Sequence, residues 1–312
     1  MTQTDGVLAG DRRAIARAIT QVERGGQQAR TTLTQLYPRT GRAQIIGITG
    51  APGTGKSTLV NQLALAYRRR GPSVGIVAVD PTSPFSGGAI LGDRVRMQAL
   101  SGDDGVFIRS MATRGSLGGL AWTTREVVSV LDAAGFDVII VETVGAGQSE
   151  VEIAGAAHTT VVVTVPGLGD DIQAVKAGIL EIADVFVVNK ADLAGADQAV
   201  SQLRTMLNLD PHMGAWRPPI VKTIATKGEG VSELLNGIEE HRAYLLDSDE
   251  KPQRDRARVR SEMLDILRQT LLNRALAGVS QAQFDRMINR VVQRELDPYT
   301  AVEKILEKSK DG

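Results

Sequence analysis

The chain has 312 residues, 42% hydrophobic and 23% charged, enough for one large α/β domain with an appendage, or for two domains. Its 36 Lys and Arg balance 36 Asp and Glu, so net charge gives no argument for a nucleic-acid or anionic-membrane surface. There is no cysteine, which excludes a disulfide framework and a thiolate metal site; no apolar run of about eighteen residues suggests a membrane span, and the polar stretch 1–11 lacks a leader's apolar core, so the expected location is cytoplasmic.

In chain order, residues 11–37 read as helical. Ile15, Ala18, Ile19 and Val22 share one face, Leu33 and Leu36 a second, and Pro38 ends the region. This sets off a helical extension over 1–40. Residues 44–49 form a short apolar run that reads as a buried strand. The next eight, Gly50, Ala51, Pro52, Gly53, Thr54, Gly55, Lys56 and Ser57, fit the phosphate-loop pattern GxxxxGK[ST], and Thr58 begins an apolar helical pattern. Glycines let backbone N–H groups wrap a triphosphate, and the helix start adds partial positive charge. Lys56 would reach the outer phosphates and the Ser57 hydroxyl would bind Mg²⁺. An ordinary turn before a helix has no need of that Lys-Ser pair.

The remaining strands are predicted at 73–80, 106–110, 138–142, 159–165, 185–189 and 219–224, with helices at 120–133, 172–180, 197–207 and 231–246 between them. Residues 160–165, Thr-Val-Val-Val-Thr-Val, read as a strand buried on both faces. The fold expected is a doubly wound, mainly parallel α/β domain over 41–247, with helices on both faces.

Three further signatures fall at strand ends. Glu142 closes an apolar run and Gly145 follows, so the acid could meet Mg²⁺ and the glycine amide the γ-phosphate. Asp80 ends the second strand and Asp93 follows in Leu91-Gly92-Asp93-Arg94; both could face the metal, or each could cap a local turn or helix. Asn189-Lys190-Ala191-Asp192 is an NKxD guanine motif. The Asp192 carboxylate can accept from guanine N1–H and the exocyclic amine, a match adenine cannot make. Asn189 would brace the loop, and the Lys190 stem would cover the base. The Ala225 amide can contact the guanine carbonyl. Ile224 stands where GTPases usually have Ser, so a bracing hydroxyl is missing there.

Beyond 247 the character changes. Residues 248–260 are highly charged, and helices are predicted at 261–276, 281–295 and 298–308, making a helical arm over 248–312. Met263, Leu264, Ile266, Leu267, Leu271 and Leu272 fall at helical spacing. Three such helices cannot bury much alone; they should dock on the α/β domain or on a second copy.

Taken together these motifs resemble the MeaB/ArgK family of methylmalonyl-CoA-mutase-associated P-loop GTPases, of the metallochaperone-type class with Glu in the second nucleotide motif. The phosphate loop, Asp80-Pro81-Thr82-Ser83-Pro84, residues 87–94, 109–115 and 142–150, and Asn189-Lys190-Ala191-Asp192 carry the resemblance. It covers nearly the whole chain. It implies GTP and GDP binding, with Ser57, Asp80, Asp93 and Glu142 around Mg²⁺. It implies a mobile loop at 166–176 in which Asp170 and Lys176 act as switch residues, Lys176 swinging onto the nucleotide when a partner docks. It further implies a cobalamin-dependent acyl-CoA mutase as partner and a homodimer through the arm.

Ala146, directly after Gly145, offers no side chain to orient water, and the sequence does not aim nearby Gln148, so slow intrinsic turnover, accelerated by the partner, is expected. Two other readings compete: an ATPase or kinase tied to basic amino-acid transport, which Asp192 argues against, and a metal-delivery GTPase. Against the latter, His158, His212 and His241 are widely spaced and read as surface or helix-cap residues.

Overall fold

A computed structural model of the chain describes residues 2–80, 100, 102–112, 119–143, 157–167, 182–209 and 214–308. Seven parallel strands are described: β1 (Gln44–Thr49), β2 (Val74–Asp80), β3 (Val106–Ala112), β4 (Val138–Thr143), β5 (Thr159–Thr164), β6 (Val185–Val188) and β7 (Ile220–Lys222). Their order across the sheet is β3-β2-β4-β1-β5-β6-β7. Every residue of β1, β4, β5 and β6 is buried, as expected of strands covered on both faces.

Side chains alternate between two cores. Ile46, Ile48, Ile140, Val161 and Val163 pack with Leu59 and Leu63 of α4 (Lys56–Arg70) and with Leu234 and Ile238. On the other face Ile45, Val77, Ile139 and Val141 meet Val127 and Leu131. Each of these fully buried aliphatic side chains contributes about 1.5–3 kcal/mol.

The N-terminal segment belongs to the second core. Helices α1 (Gln3–Leu8), α2 (Arg12–Arg24) and α3 (Gln27–Leu36) bring Val7, Ile15, Ile19 and Leu36 against α5 (Gly119–Ala133). The helical stretch expected over 11–37 is broken where Gly25 and Gly26 take φ of 70° and 92°. The helix at 3–8 was not expected; a capping box between Thr2 and Asp5 starts it. Helices α6 (Ala196–Leu209) and α7 (Val231–Asp247) flank the strands β5 to β7. The helix predicted at 172–180 lies outside the described residues.

The chain divides into two compact units, Met1–Lys251 and Pro252–Gly312. The helix α8 runs from Glu250 to Ala277, eleven residues earlier than its predicted start. Residues 248–260 were set apart only as highly charged; Glu, Lys, Arg and Gln are good helix formers, and Pro252 sits in the first turn, where its missing N–H costs nothing. In the second unit, α9 (Gln281–Val292) opens with a capping box of Ser280 and Gln283, and α10 (Pro298–Lys308) buries Ala301 and Ile305.

Candidate nucleotide site

The chain order reverses at β1, which pairs with β4 on one side and β5 on the other, and a ligand crevice is expected at such a switch point, at the carboxyl ends of the strands. The phosphate loop sits there. Gly50 has φ of 141°, and a Cβ on it would lie 2.1 Å from the Val163 carbonyl oxygen, so only glycine fits. Gly55, with φ of 89°, starts α4, and a Cβ there would come within 2.5 Å of the Asn189 amide.

Lys56 is buried and folds back across the loop. Its Nζ donates to the carbonyls of Gly50 at 2.7 Å and Ala51 at 3.0 Å. Thr54 Oγ1 donates to the Ala51 carbonyl, which tightens the same turn. At the first turn of α4 the Ser57 hydroxyl donates to Glu142 Oε1 at 2.6 Å. Glu142 is 1% exposed and arrives from β4, whose register sets it opposite Ile48 of β1. A serine hydroxyl and a carboxylate are hard oxygen donors, the chemistry Mg²⁺ takes. Among the described residues no cluster of three or more His, Cys, Asp or Glu groups is placed to hold a metal.

Asn189 joins the phosphate loop to the base side. It is 2% exposed. Its Nδ2 donates to the Thr54 carbonyl at 2.8 Å, and its Oδ1 accepts from Thr223 Oγ1 at 3.0 Å and from the Ala225 amide at 3.1 Å. Lys190, at φ of 55°, sends Nζ to the Gly53 carbonyl at 2.9 Å. The turn that follows is tied down by the Ala191 amide on the Thr223 carbonyl. Asp192 is exposed, and its carboxylate has no partner among the described residues.

Two features of this loop differ from the sequence reading. The bracing hydroxyl missing at Ile224 is supplied one residue earlier by Thr223; the sequence signal was a threonine beside the expected serine position. The Ala225 amide, expected to face the base, is donated to Asn189 in this structure. Asp93, Gly145, Asp170 and Lys176 lie outside the described residues, as does the side chain of Asp80, whose backbone ends β2.

The histidines are not surface groups where they are described. His241 is fully buried, with Nδ1 2.9 Å from Thr159 Oγ1 and Nε2 3.1 Å from Asp184 Oδ1. Its ring packs against Trp216, centroids 4.9 Å apart. His158 Nδ1 accepts from the Ile45 amide at 3.1 Å. His212 lies outside the described residues. His241 falls three residues after Ile238 and four before Leu245, on the buried stripe of α7, and that spacing is the sequence signal that could have placed it inward.

The family model described as methylmalonyl Co-A mutase-associated GTPase MeaB matches residues 15–280. A candidate GTPase of Pyrococcus abyssi is 52% identical over 300 residues, covering 95% of this chain and 93% of that protein. GTPase ArgK of Escherichia coli is 37% identical over 248 residues, 77% of this chain and 75% of that protein. A solved structure described as an LAO/AO transport system kinase superposes with a TM-score of 0.73 at 25% identity, over 98% of this chain and 95% of that one.

Proposed function

The chain belongs to the MeaB family of methylmalonyl-CoA-mutase-associated GTPases, and we propose that it is a guanine-nucleotide switch that chaperones a cobalamin-dependent acyl-CoA mutase. In this reading it gates cofactor loading and protects the loaded mutase, changing affinity for it between the GTP and GDP states. The observation that carries the switch is Asn189, whose amide ties the phosphate loop to the guanine loop, so that occupancy of one side is felt at the other.

The chemistry is hydrolysis of GTP to GDP and phosphate. Backbone N–H groups of Gly53 to Ser57 and the Lys56 ammonium would hold the phosphates, with Lys190 lying along the loop and Asp192 reading the base. Ser57 and Glu142 would hold Mg²⁺, joined by Asp80 and Asp93 as the resemblance implies. When bound, that ion neutralises charge developing on the β- and γ-phosphates. Ala146 supplies no water-orienting group, which leaves Gln148 as the nearby candidate, and turnover of the isolated chain is slow in this reading. Docking of the mutase then brings Lys176 or Asp170, both in the 166–176 segment, to the nucleotide. The arm supports a homodimer, since Met263, Leu264, Ile266, Leu267, Leu271 and Leu272 of α8 are all exposed on the single chain.

The test is calorimetric titration with GDP, a GTP analogue and ADP in Mg²⁺, followed by GTPase assays with and without a cobalamin-dependent acyl-CoA mutase. Guanine-selective binding and mutase-accelerated turnover are expected. ADP binding as tight as GDP binding would overturn the base reading and favour a transport-linked ATPase or kinase. Guanine binding without any effect of the mutase would leave a GTPase and remove the chaperone role.

A further inference from the structure

At the other end of the sheet, far from the phosphate loop, the amino ends of β1 and β4 meet the end of α4 and the middle of α7. Between them lies an open groove of about 540 Å³, a size that takes a small organic molecule. The six residues of β1 separate it from Gly50 by about 20 Å.

The polar groups of its wall are unevenly satisfied. The acceptors are engaged from within. Glu239 Oε1 accepts from the Tyr67 hydroxyl at 2.9 Å, and burial together with Glu239 keeps that hydroxyl protonated by raising its pKa far above the usual value. Asp137 Oδ2 accepts from the Ser73 amide and hydroxyl, each at 2.7 Å. The Gly71 and Pro72 carbonyls accept from Arg68 at 2.9 and 2.8 Å.

The donors are in surplus. Gln44 is 3% exposed; its Oε1 accepts from Arg242 Nη1 at 3.3 Å, while its buried Nε2 has no hydrogen-bond partner among the described residues. An orphaned buried donor carries a penalty of about 1–3 kcal/mol unless something accepts from it. The Arg42 guanidinium is exposed and has no partner among the described residues, although its backbone is fixed by its amide on Asp132. Arg70 adds a third guanidinium, bonded to Asn236. Three guanidinium groups face two carboxylates around this groove; Arg242 Nη1 also lies 3.6 Å from Glu239 Oε2, so the surplus positive charge rests on Arg42. Guanidinium forks match the two oxygens of a carboxylate or phosphate.

We infer that this groove is a second binding site, for a small organic anion that presents a phosphate or carboxylate group to Arg42, Arg242 and the Gln44 amide. It is separate from the guanine site, and the inference stands whether or not the mutase role does.

The experiment uses the full chain saturated with GDP, so that the phosphate loop is filled. Glycerol 3-phosphate and tricarballylate are titrated separately by calorimetry, with sodium chloride at matched ionic strength as reference. Saturable binding of one probe beyond the chloride reference is expected, and the probe that binds tells the phosphate from the carboxylate source. Arg42→Gln should weaken it about tenfold or more, with GDP affinity unchanged. Among the described residues the Arg42 side chain holds no other in place, so this variant tests the site without endangering the fold. Arg242→Gln should weaken binding likewise, its melting temperature being checked alongside. Absence of saturable binding by either probe, or wild-type binding by Arg42→Gln, overturns the inference.

Discussion

Asn189 and Asp192 are three residues apart and have different jobs. Asn189 is a buried brace with three hydrogen bonds, to Thr54, Thr223 and Ala225. Asn189→Ala removes all three and should lower unfolding free energy by about 2–3 kcal/mol in urea denaturation, with GDP affinity falling alongside. Thr223→Val removes one bond and should cost about 1 kcal/mol. Asp192 is exposed and unpartnered among the described residues, so Asp192→Ala should leave the melting curve unchanged. The same variant should weaken GDP binding by roughly a hundredfold, read by calorimetry, because the loss falls on the base contacts alone. A destabilised Asp192→Ala protein would show that this carboxylate is structural. Gly50→Ala is the steric counterpart. Its Cβ would meet the Val163 carbonyl at 2.1 Å, and a loss above about 3 kcal/mol is expected from chemical denaturation.

Elements are joined by polar links at the sheet's amino end. Arg68 of α4 pairs with Asp103 ahead of β3, Nε to Oδ2 at 2.8 Å and Nη2 to Oδ1 at 2.9 Å. These bonds, with the Gly105 amide, hold the Asp103 carboxyl below the usual carboxylate range. A carboxyl with a depressed folded pKa stabilises above its unfolded value and loses that contribution as pH falls through the folded one. Wild type should therefore melt higher than Asp103→Asn at neutral pH, and the two melting temperatures should converge in strong acid. A constant gap down to low pH would mean that the carboxylate charge is not what matters. His241 is the second link. It joins α7 to Thr159 of β5 and to Asp184, just ahead of β6. His241→Leu keeps the volume but removes both ring nitrogens, and about 2–4 kcal/mol of stability should be lost in urea.

Across the whole molecule, two surfaces of different character are left. The first unit is closed around three apolar clusters on the two faces of its sheet, and its candidate nucleotide crevice is polar. The second unit shows an apolar stripe on α8 that includes Leu267, 51% exposed, and Leu271, 54% exposed. A stripe of that size on a polar helix calls for a partner, and a second copy of the chain is the partner proposed. The double variant Leu267→Glu, Leu271→Glu should elute as a monomer in light-scattering chromatography while binding GDP as the wild type does. A wild type that is already monomeric would remove the dimer from the reading.

The sequence by itself determined the α/β class, the strand positions and the nucleotide chemistry. Each rests on local pattern: buried parallel strands read as unbroken Val and Ile runs, and a phosphate loop must be contiguous because its backbone does the binding. β1 and α10 fall at the predicted bounds, while α8 starts early because helix propensity is indifferent to charge density. Only the tertiary structure decided which distant groups meet. Ser57 finds Glu142 across 85 residues, and Asn189 finds Thr54 across 135. Thr223 replaces the serine the motif led one to expect, His241 turns inward, and Gln44 is left with an unused donor beside Arg42 and Arg242. These pairings follow from the order and register of strands in the sheet, which no residue encodes alone.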